Sequence, residues 1–175
     1  MPKAKVNGVE LHYEDTGAGF PLIFCHEFAG DMRSWEPQVR HFARRYRIVT
    51  FNYRGYPPSS VPEHESAYGH DQLVDDLRAL MNHLGISRAH VAGLATGGNL
   101  ALNFAIAHPQ LVAGLVVAGA GAGTTDREAG WPVRKNSPPI SNGTEPQAWL
   151  RMSPLRRNAS SFATRIRAAG RASSP

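Results

Sequence analysis

The residues from Ala89 to His108 constrain the fold of this chain more than any other stretch. An apolar run of strand length, AHVAGL, and a helix-like run, NLALNFAIAH, meet with no linker at Gly93-Leu94-Ala95-Thr96-Gly97-Gly98. A strand that turns directly into a helix commits the chain to layered α/β architecture, because the helix must fold back onto the sheet the strand has joined. Glycines on both sides of the turn let the two backbones approach where a side chain would intervene.

The remaining text supplies the other layers. Within residues 6–15, Asn7-Gly8 followed by the alternating Val9, Leu11 and Tyr13 predicts a hairpin of two short antiparallel strands. Residues 21–26, PLIFCH, form a continuous apolar run, as in a strand covered on both faces, and end in the loop Glu27-Phe28-Ala29-Gly30. Residues 31–45 predict a helix with Trp35, Val39 and Phe42 on one stripe and Pro37 in its first turn. Residues 46–53, YRIVTFNY, predict another strand, broken by Arg54-Gly55-Tyr56-Pro57-Pro58.

Residues 68–84 carry the cleanest helical period, with Leu73, Leu77, Leu80, Met81 and Leu84 inward, Asp75, Asp76 and Arg78 off that stripe, and Gly85 as the stop. A helix from Thr96 to Ala107 and a strand at residues 114–118 complete the pattern. The order predicts a doubly wound, mostly parallel sheet of about six strands with helices on both faces. Its functional loops then lie at the carboxyl ends of the strands: residues 26–30, residues 52–59 and the turn at Ala95.

Composition divides the chain near residue 123. Residues 1–123 hold ten Lys/Arg against eleven Asp/Glu, whereas residues 124–175 hold nine against three, so the basic excess belongs to the second part. That second part has six prolines, seven serines and no sustained apolar period. It reads as a disordered basic tail after an ordered domain of residues 1–123. Arg/Pro/Ala/Ser/Gly-rich text is also what a GC-rich gene gives out of frame, which places the expected end of the genuine coding text near Arg127. Without interleaved aromatics or a groove-reading motif, the tail supports no specific nucleic-acid partner. The lone Cys25 excludes an internal disulfide framework, the start lacks the apolar core of a signal peptide, and no run approaches a membrane span. A cytoplasmic setting is the expectation.

Chemistry concentrates at the turn. Gly93-Leu94-Ala95-Thr96-Gly97 matches the G-x-S-x-G pattern that projects a nucleophile, except that Ala95 stands where the hydroxyl belongs. Holding a non-glycine residue in such a turn costs about 1–3 kcal/mol, which makes sense for a nucleophile and gains an alanine nothing chemical. The backbone N–H of Thr96, at a helix start, would face a developing oxyanion, and the candidate second donor is the N–H of Phe28 in the loop opened by His26.

Residues 1–123 resemble the N-terminal half of the α/β-hydrolase fold family. The matching text is Phe24-Cys25-His26-Glu27-Phe28 for the His-Gly oxyanion loop and residues 52–59, NYRGYPPS, for the D-x-R-G-x-G-x-S loop. The third match is the elbow, with His108-Pro109 after its helix. Departures are Glu27 for glycine, Asn52 for aspartate, Tyr56-Pro57 in the second loop and Ala95 for the nucleophile. The resemblance implies a small-molecule, ester-like substrate, and a lid, further strands, an acid and a histidine after the sixth strand. Residues 124–175 contain no histidine, and their only carboxylates are Asp126, Glu128 and Glu145.

The expectation is therefore an esterase- or lactonase-like lineage, truncated after about six strands and inactive as written. The alternatives are a pseudoenzyme that binds a carboxylate or acyl group at the vacant oxyanion site, and a non-functional truncated product. A sixth strand at the sheet edge would invite chaperone binding or self-association.

Competing readings of single residues are weaker. Thr96 is read as a capping or solvated residue, and Cys25 as a buried strand residue. His12, His41, His64, His70, His83, His90 and His108 show no metal-ligand spacing and read as surface or packing residues. Residues 119–123, GAGAG, and Gly93-x-Ala95-x-x-Gly98 mimic a dinucleotide fingerprint but follow late strands and lack the later acidic partner, so no cofactor is expected. The acceptor patterns at Asn142 and Asn158 are meaningless without a secretory route.

Overall fold

The hairpin forecast at Asn7-Gly8 forms as expected, both residues taking positive φ (46° and 76°) between β1 (Lys3–Val6) and β2 (Val9–Thr16). It opens a computed structural model that describes residues 2–120. The elements that follow are β3 (Phe20–Cys25), α1 (Glu36–Phe42), β4 (Tyr46–Phe51), α2 (His70–His83), β5 (Ala89–Leu94), α3 (Thr96–Ala107) and β6 (Val112–Ala118). Short 3-10 turns at Met32–Trp35, Glu65–Ala67 and Pro109–Leu111 connect them.

The sheet order is β1-β2-β4-β3-β5-β6. The hairpin joins β4 antiparallel, and β4, β3, β5 and β6 run parallel. After β3 the chain winds first to one side, into β4, and then to the other, into β5. That reversal opens a crevice at the carboxyl ends of β3 and β5, where ligands of open α/β sheets lie.

Alternation along the strands sorts the core into two layers. Leu22, Phe24, Ile48 and Ala92 face α1 with Trp35 and Val39, and the Phe24 ring stacks on Trp35 at 4.5 Å. Ile23, Cys25, Val49 and Phe51 face the other way, onto Leu73, Leu77, Leu80 and Met81 of α2 and Leu100 and Phe104 of α3. The doubly wound expectation is met.

Three details differ. The helix expected over residues 31–45 is a 3-10 turn capped by the Asp31 carboxylate, then α1 from Glu36, with Pro37 at its amino end. The last strand begins at Val112, two residues before the expected start. Asp76, placed off the inward stripe with Asp75 and Arg78, is 1% exposed and joined to Arg54. The tail beyond residue 123, its glycosylation patterns and its coding-end expectation lie outside the described residues.

Among the described residues, β6 pairs only with β5 and carries no charge or proline. Leu115, Val116 and Val117 on β6 and Ile106 on α3 are exposed, Val116 by 60% and Ile106 by 70%.

Candidate functional site at the strand-to-helix turn

The turn at Ala95 is built by backbone contacts. A side chain on Gly93 would sit 2.0 Å from the carbonyl oxygen of Gly97, and one on Gly97 would sit 2.1 Å from that of Cys25. Both positions exclude any Cβ, so β5 and α3 approach each other and β3 only as glycine allows. Between them Ala95 takes φ 52°, ψ −113°, one of two non-glycine positive-φ residues described. Its N–H donates to Ala118 O at 2.8 Å and its carbonyl accepts from Asn99 N at 3.1 Å, tying the turn to the end of β6 and to α3. Ala95 and Thr96 are half-buried, and α3 has no side-chain cap, so Thr96 does not serve as its capping residue.

The loop after β3 lies beside this turn, since Cys25 pairs in register with Gly93. The His26 ring is fully buried and stacks on Tyr53 (centroids 3.9 Å apart, 18° between planes), with the Tyr56 ring edge-on at 4.7 Å. Nδ1 of His26 lies 2.8 Å from the carbonyl oxygen of Glu27. A carbonyl oxygen only accepts, so Nδ1 carries the proton. Burial holds the ring's pKa down to about 4, which leaves it neutral at pH 7 and leaves Nε2 as an acceptor without a partner among the described residues. His26 is therefore held within the loop by its own hydrogen bond and by the stacked tyrosine.

Two tyrosine hydroxyls complete the loop's bonding. Tyr53 donates to His26 O at 2.8 Å and Tyr56 donates to Phe28 O at 2.9 Å. The Glu27 side chain turns instead to Ser34, whose hydroxyl donates to it at 2.8 Å. Burial pushes the Cys25 thiol up to about 12, opposed in part by a hydrogen bond with Tyr53, which agrees with its reading as a packing residue.

The loop after β4 braces this arrangement. Asn52, at the aspartate position of the D-x-R-G pattern, accepts from Met32 N and donates to Pro57 O, both at 2.9 Å. The Ser59 hydroxyl bridges His12 N and Asn52 O. Arg54 forms a two-pronged ion pair with Asp76 (2.7 and 2.6 Å) and donates to Ala67 O, while Asn7 donates to the same carboxylate at 2.8 Å. The Asn52 amide both accepts and donates here, where an ionised carboxylate could only accept.

Sequence reasoning placed Ala95, Thr96, His26 and Phe28 at neighbouring strand ends, and the structure puts them at one end of the sheet. It missed Tyr53, Tyr56 and the Arg54–Asp76 pair. Tyr53 and Tyr56 read locally as strand and turn aromatics, and only the pairing of β3 with β4 brings their hydroxyls to the His26 loop. Among the described residues no cluster of His, Cys, Asp and Glu could hold a metal ion, and no helix is long and apolar enough to cross a membrane.

The geometry has close relatives. Mouse epoxide hydrolase 3 is 37% identical over 120 residues, covering 67% of this chain and 33% of its own. The enol-lactonase of Burkholderia xenovorans superposes with a TM-score of 0.63 at 30% identity, over 66% of this chain and 45% of its own. A meta-cleavage product hydrolase of Pseudomonas fluorescens, solved as a serine-to-alanine mutant with acetates, gives 0.66 at 28% identity, over 69% of this chain and 45% of its own. The chain thus spans less than half the length of each of these three proteins. A family profile described as the alpha/beta hydrolase fold matches residues 21–157, which is most of the sequence, so the chain belongs to the alpha/beta hydrolase fold family.

Proposed function

We propose that this chain descends from hydrolases that open small ester-like, lactone or epoxide substrates, and that it does not itself turn them over by covalent catalysis. One observation carries the reading: the strained turn that would project a nucleophile is intact, and at its apex stands the methyl group of Ala95. A methyl has no lone pair with which to attack a carbonyl or an epoxide carbon. His26 is buried and its Nδ1–H is committed to the Glu27 carbonyl. Stopped-flow release of nitrophenol from p-nitrophenyl acetate tests this on the native chain and on Ala95→Ser. Neither is expected to show a burst; a stoichiometric burst from the native chain would overturn the reading, and one from Ala95→Ser alone would show that a competent base is present and that only the hydroxyl is missing.

A second reading has its own support: a carboxylate or acyl group held at the oxyanion site, between the loop after β3 and the start of α3. The turn retains its strain without a nucleophile, the start of α3 has no side-chain cap, and the Pseudomonas fluorescens relative with alanine in place of serine was solved with acetates. Calorimetric titration with hexanoate is expected to show saturable binding, and a flat titration would remove this reading. The composition of residues 124–175 supports a further alternative, a product with no function, for which both experiments are silent.

A further inference from the structure

The hairpin turn at Asn7-Gly8 joins the solvent to a buried charge. Asn7 Nδ2 donates to Asp76 Oδ1 at 2.8 Å, and the Asn7 carbonyl accepts from Arg54 at 3.2 Å. A carboxylate only accepts, so the amide nitrogen is the atom that faces Asp76. Its two partners are the ion pair bonded at 2.7 and 2.6 Å, with Asp76 1% and Arg54 5% exposed. Asn7 and Gly8 are themselves exposed, and a Cβ on Gly8 would meet nothing within 4 Å among the described residues. Asparagine followed by glycine is the pair in which the next backbone nitrogen approaches the side-chain carbonyl carbon with least hindrance, because glycine has no Cβ in the way.

We propose that Asn7 is a site of spontaneous deamidation and that the reaction breaks the Arg54–Asp76 clamp. The Gly8 nitrogen attacks Cγ of Asn7, the bond from Cγ to Nδ2 breaks, and ammonia leaves with the proton of the Gly8 N–H. Water then opens the five-membered imide at either carbonyl, giving aspartate or its β-linked isomer at position 7. In the folded chain the amide must first leave Asp76, which slows the attack without preventing it. The product sets a second carboxylate where Asp76 had met a donor, so one guanidinium faces two like charges. The β-linked isomer also adds a backbone atom to the two-residue turn that places Val6 opposite Val9, which disturbs the register of β1 on β2. Arg54 shares its loop with Asn52 and Tyr56, whose bonds to Met32 N and Phe28 O brace the segment after β3, so the damage reaches that brace from a distance.

The test incubates the full chain in mildly alkaline buffer, folded or in urea, and follows it by peptide mass spectrometry. The tryptic peptide of residues 6–33 contains one asparagine and no glutamine, so the mass gain of an amide turned to an acid in it reports Asn7 alone. Asn7 is expected to convert about tenfold or more slowly in the folded chain than in urea, the factor that a hydrogen bond to a carboxylate supplies. It is still expected to outpace Asn52, Asn82, Asn99 and Asn103, which precede tyrosine, histidine, leucine and phenylalanine. Asn7→Asp reproduces the product in a turn that tolerates aspartate, and is expected to lower the folded-to-unfolded ratio about tenfold or more in a urea titration. Asn7→Gly suits the same positive φ and adds no charge, so its loss is expected to be smaller. Combining Asn7→Asp with Asp76→Asn exchanges amide and carboxylate, leaves Arg54 one counter-charge, and is expected to recover most of the lost stability.

Slower conversion of Asn7 than of those four asparagines in the folded chain overturns the proposal, and so does an Asn7→Asp chain as stable as the native one. A loss in Asn7→Gly as large as in Asn7→Asp counts against it too, since the missing hydrogen bond and not the added carboxylate would then do the damage. Should Asn7→Asp alone not fold, a cooperative urea transition in the exchanged pair supports the proposal, and a pair that fails to fold refutes it.

Discussion

Replacing Ala95 by glycine is expected to stabilise this protein, the reverse of what an alanine-to-glycine change does in ordinary backbone. Three contributions set the magnitude. Ala95 sits at φ 52°, ψ −113°, a conformation that costs a residue with a Cβ about 1–3 kcal/mol and glycine almost nothing. Against that, glycine gains backbone freedom in the unfolded chain worth about 0.5–1 kcal/mol. The half-buried methyl is lost as well, at roughly 0.4 kcal/mol, half the value of a fully buried group. The balance is a gain of about 1 kcal/mol, or a rise of about 3 °C in Tm for an ordered region of this size. Urea denaturation followed by circular dichroism, with the slope of the transition checked for equality between variants, measures it directly. A loss of about 1 kcal/mol in Ala95→Gly would show that the turn stores no strain, and the case for an inherited nucleophile position would fall with it.

Three other outcomes follow from the same geometry. Removing one partner of the buried Arg54–Asp76 pair, as in Asp76→Ala, leaves a guanidinium uncompensated and is expected to cost about 3–5 kcal/mol in urea denaturation; a loss below about 1 kcal/mol would mean the pair is solvated. An unfolded histidine takes up a proton near pH 6.5, whereas buried His26 resists until about pH 4. Between those values the unfolded chain binds more protons, so stability present above pH 6.5 falls by roughly 3 kcal/mol as the pH drops to 4, and the slope is expected to flatten in His26→Phe. Burial of the Cys25 thiol, with its pKa near 12, predicts no reaction with a disulfide reagent in native buffer at pH 8 and one equivalent after denaturation; rapid native labelling would contradict the packing.

The order of elements was legible because each carries its own local signal. Asn7-Gly8 marks a hairpin, PLIFC marks a strand covered on both sides, RIVTF marks another strand, and the Leu73-Leu77-Leu80 stripe marks a helix. The position of Ala95 was legible for a similar reason, since the glycines around it are three or fewer residues away. What stayed hidden was any feature that depends on partners distant in the chain. Asp76 looks like a solvent-facing residue on a helical wheel, and only its reach to Arg54, 22 residues earlier, and to Asn7, 69 residues earlier, accounts for its burial. Likewise Tyr53 and Tyr56 have no mark that separates a core aromatic from a hydroxyl donor to a neighbouring loop. The helix over residues 31–45 was overextended because Trp35, Val39 and Phe42 keep a common period across the change from 3-10 to α geometry.

The crowding around Gly93 and Gly97 separates two kinds of position that sit side by side in the sequence. The glycines answer to backbone carbonyls and admit no replacement, while the half-buried position between them already carries a side chain. In engineering terms residue 95 is a socket in a rigid mount, and its occupant is exchangeable because the mount is held elsewhere. A thiol, a carboxylate or a metal-binding unnatural residue installed there would inherit a fixed direction at the crevice, with Thr96 and the His26 loop already in place around it.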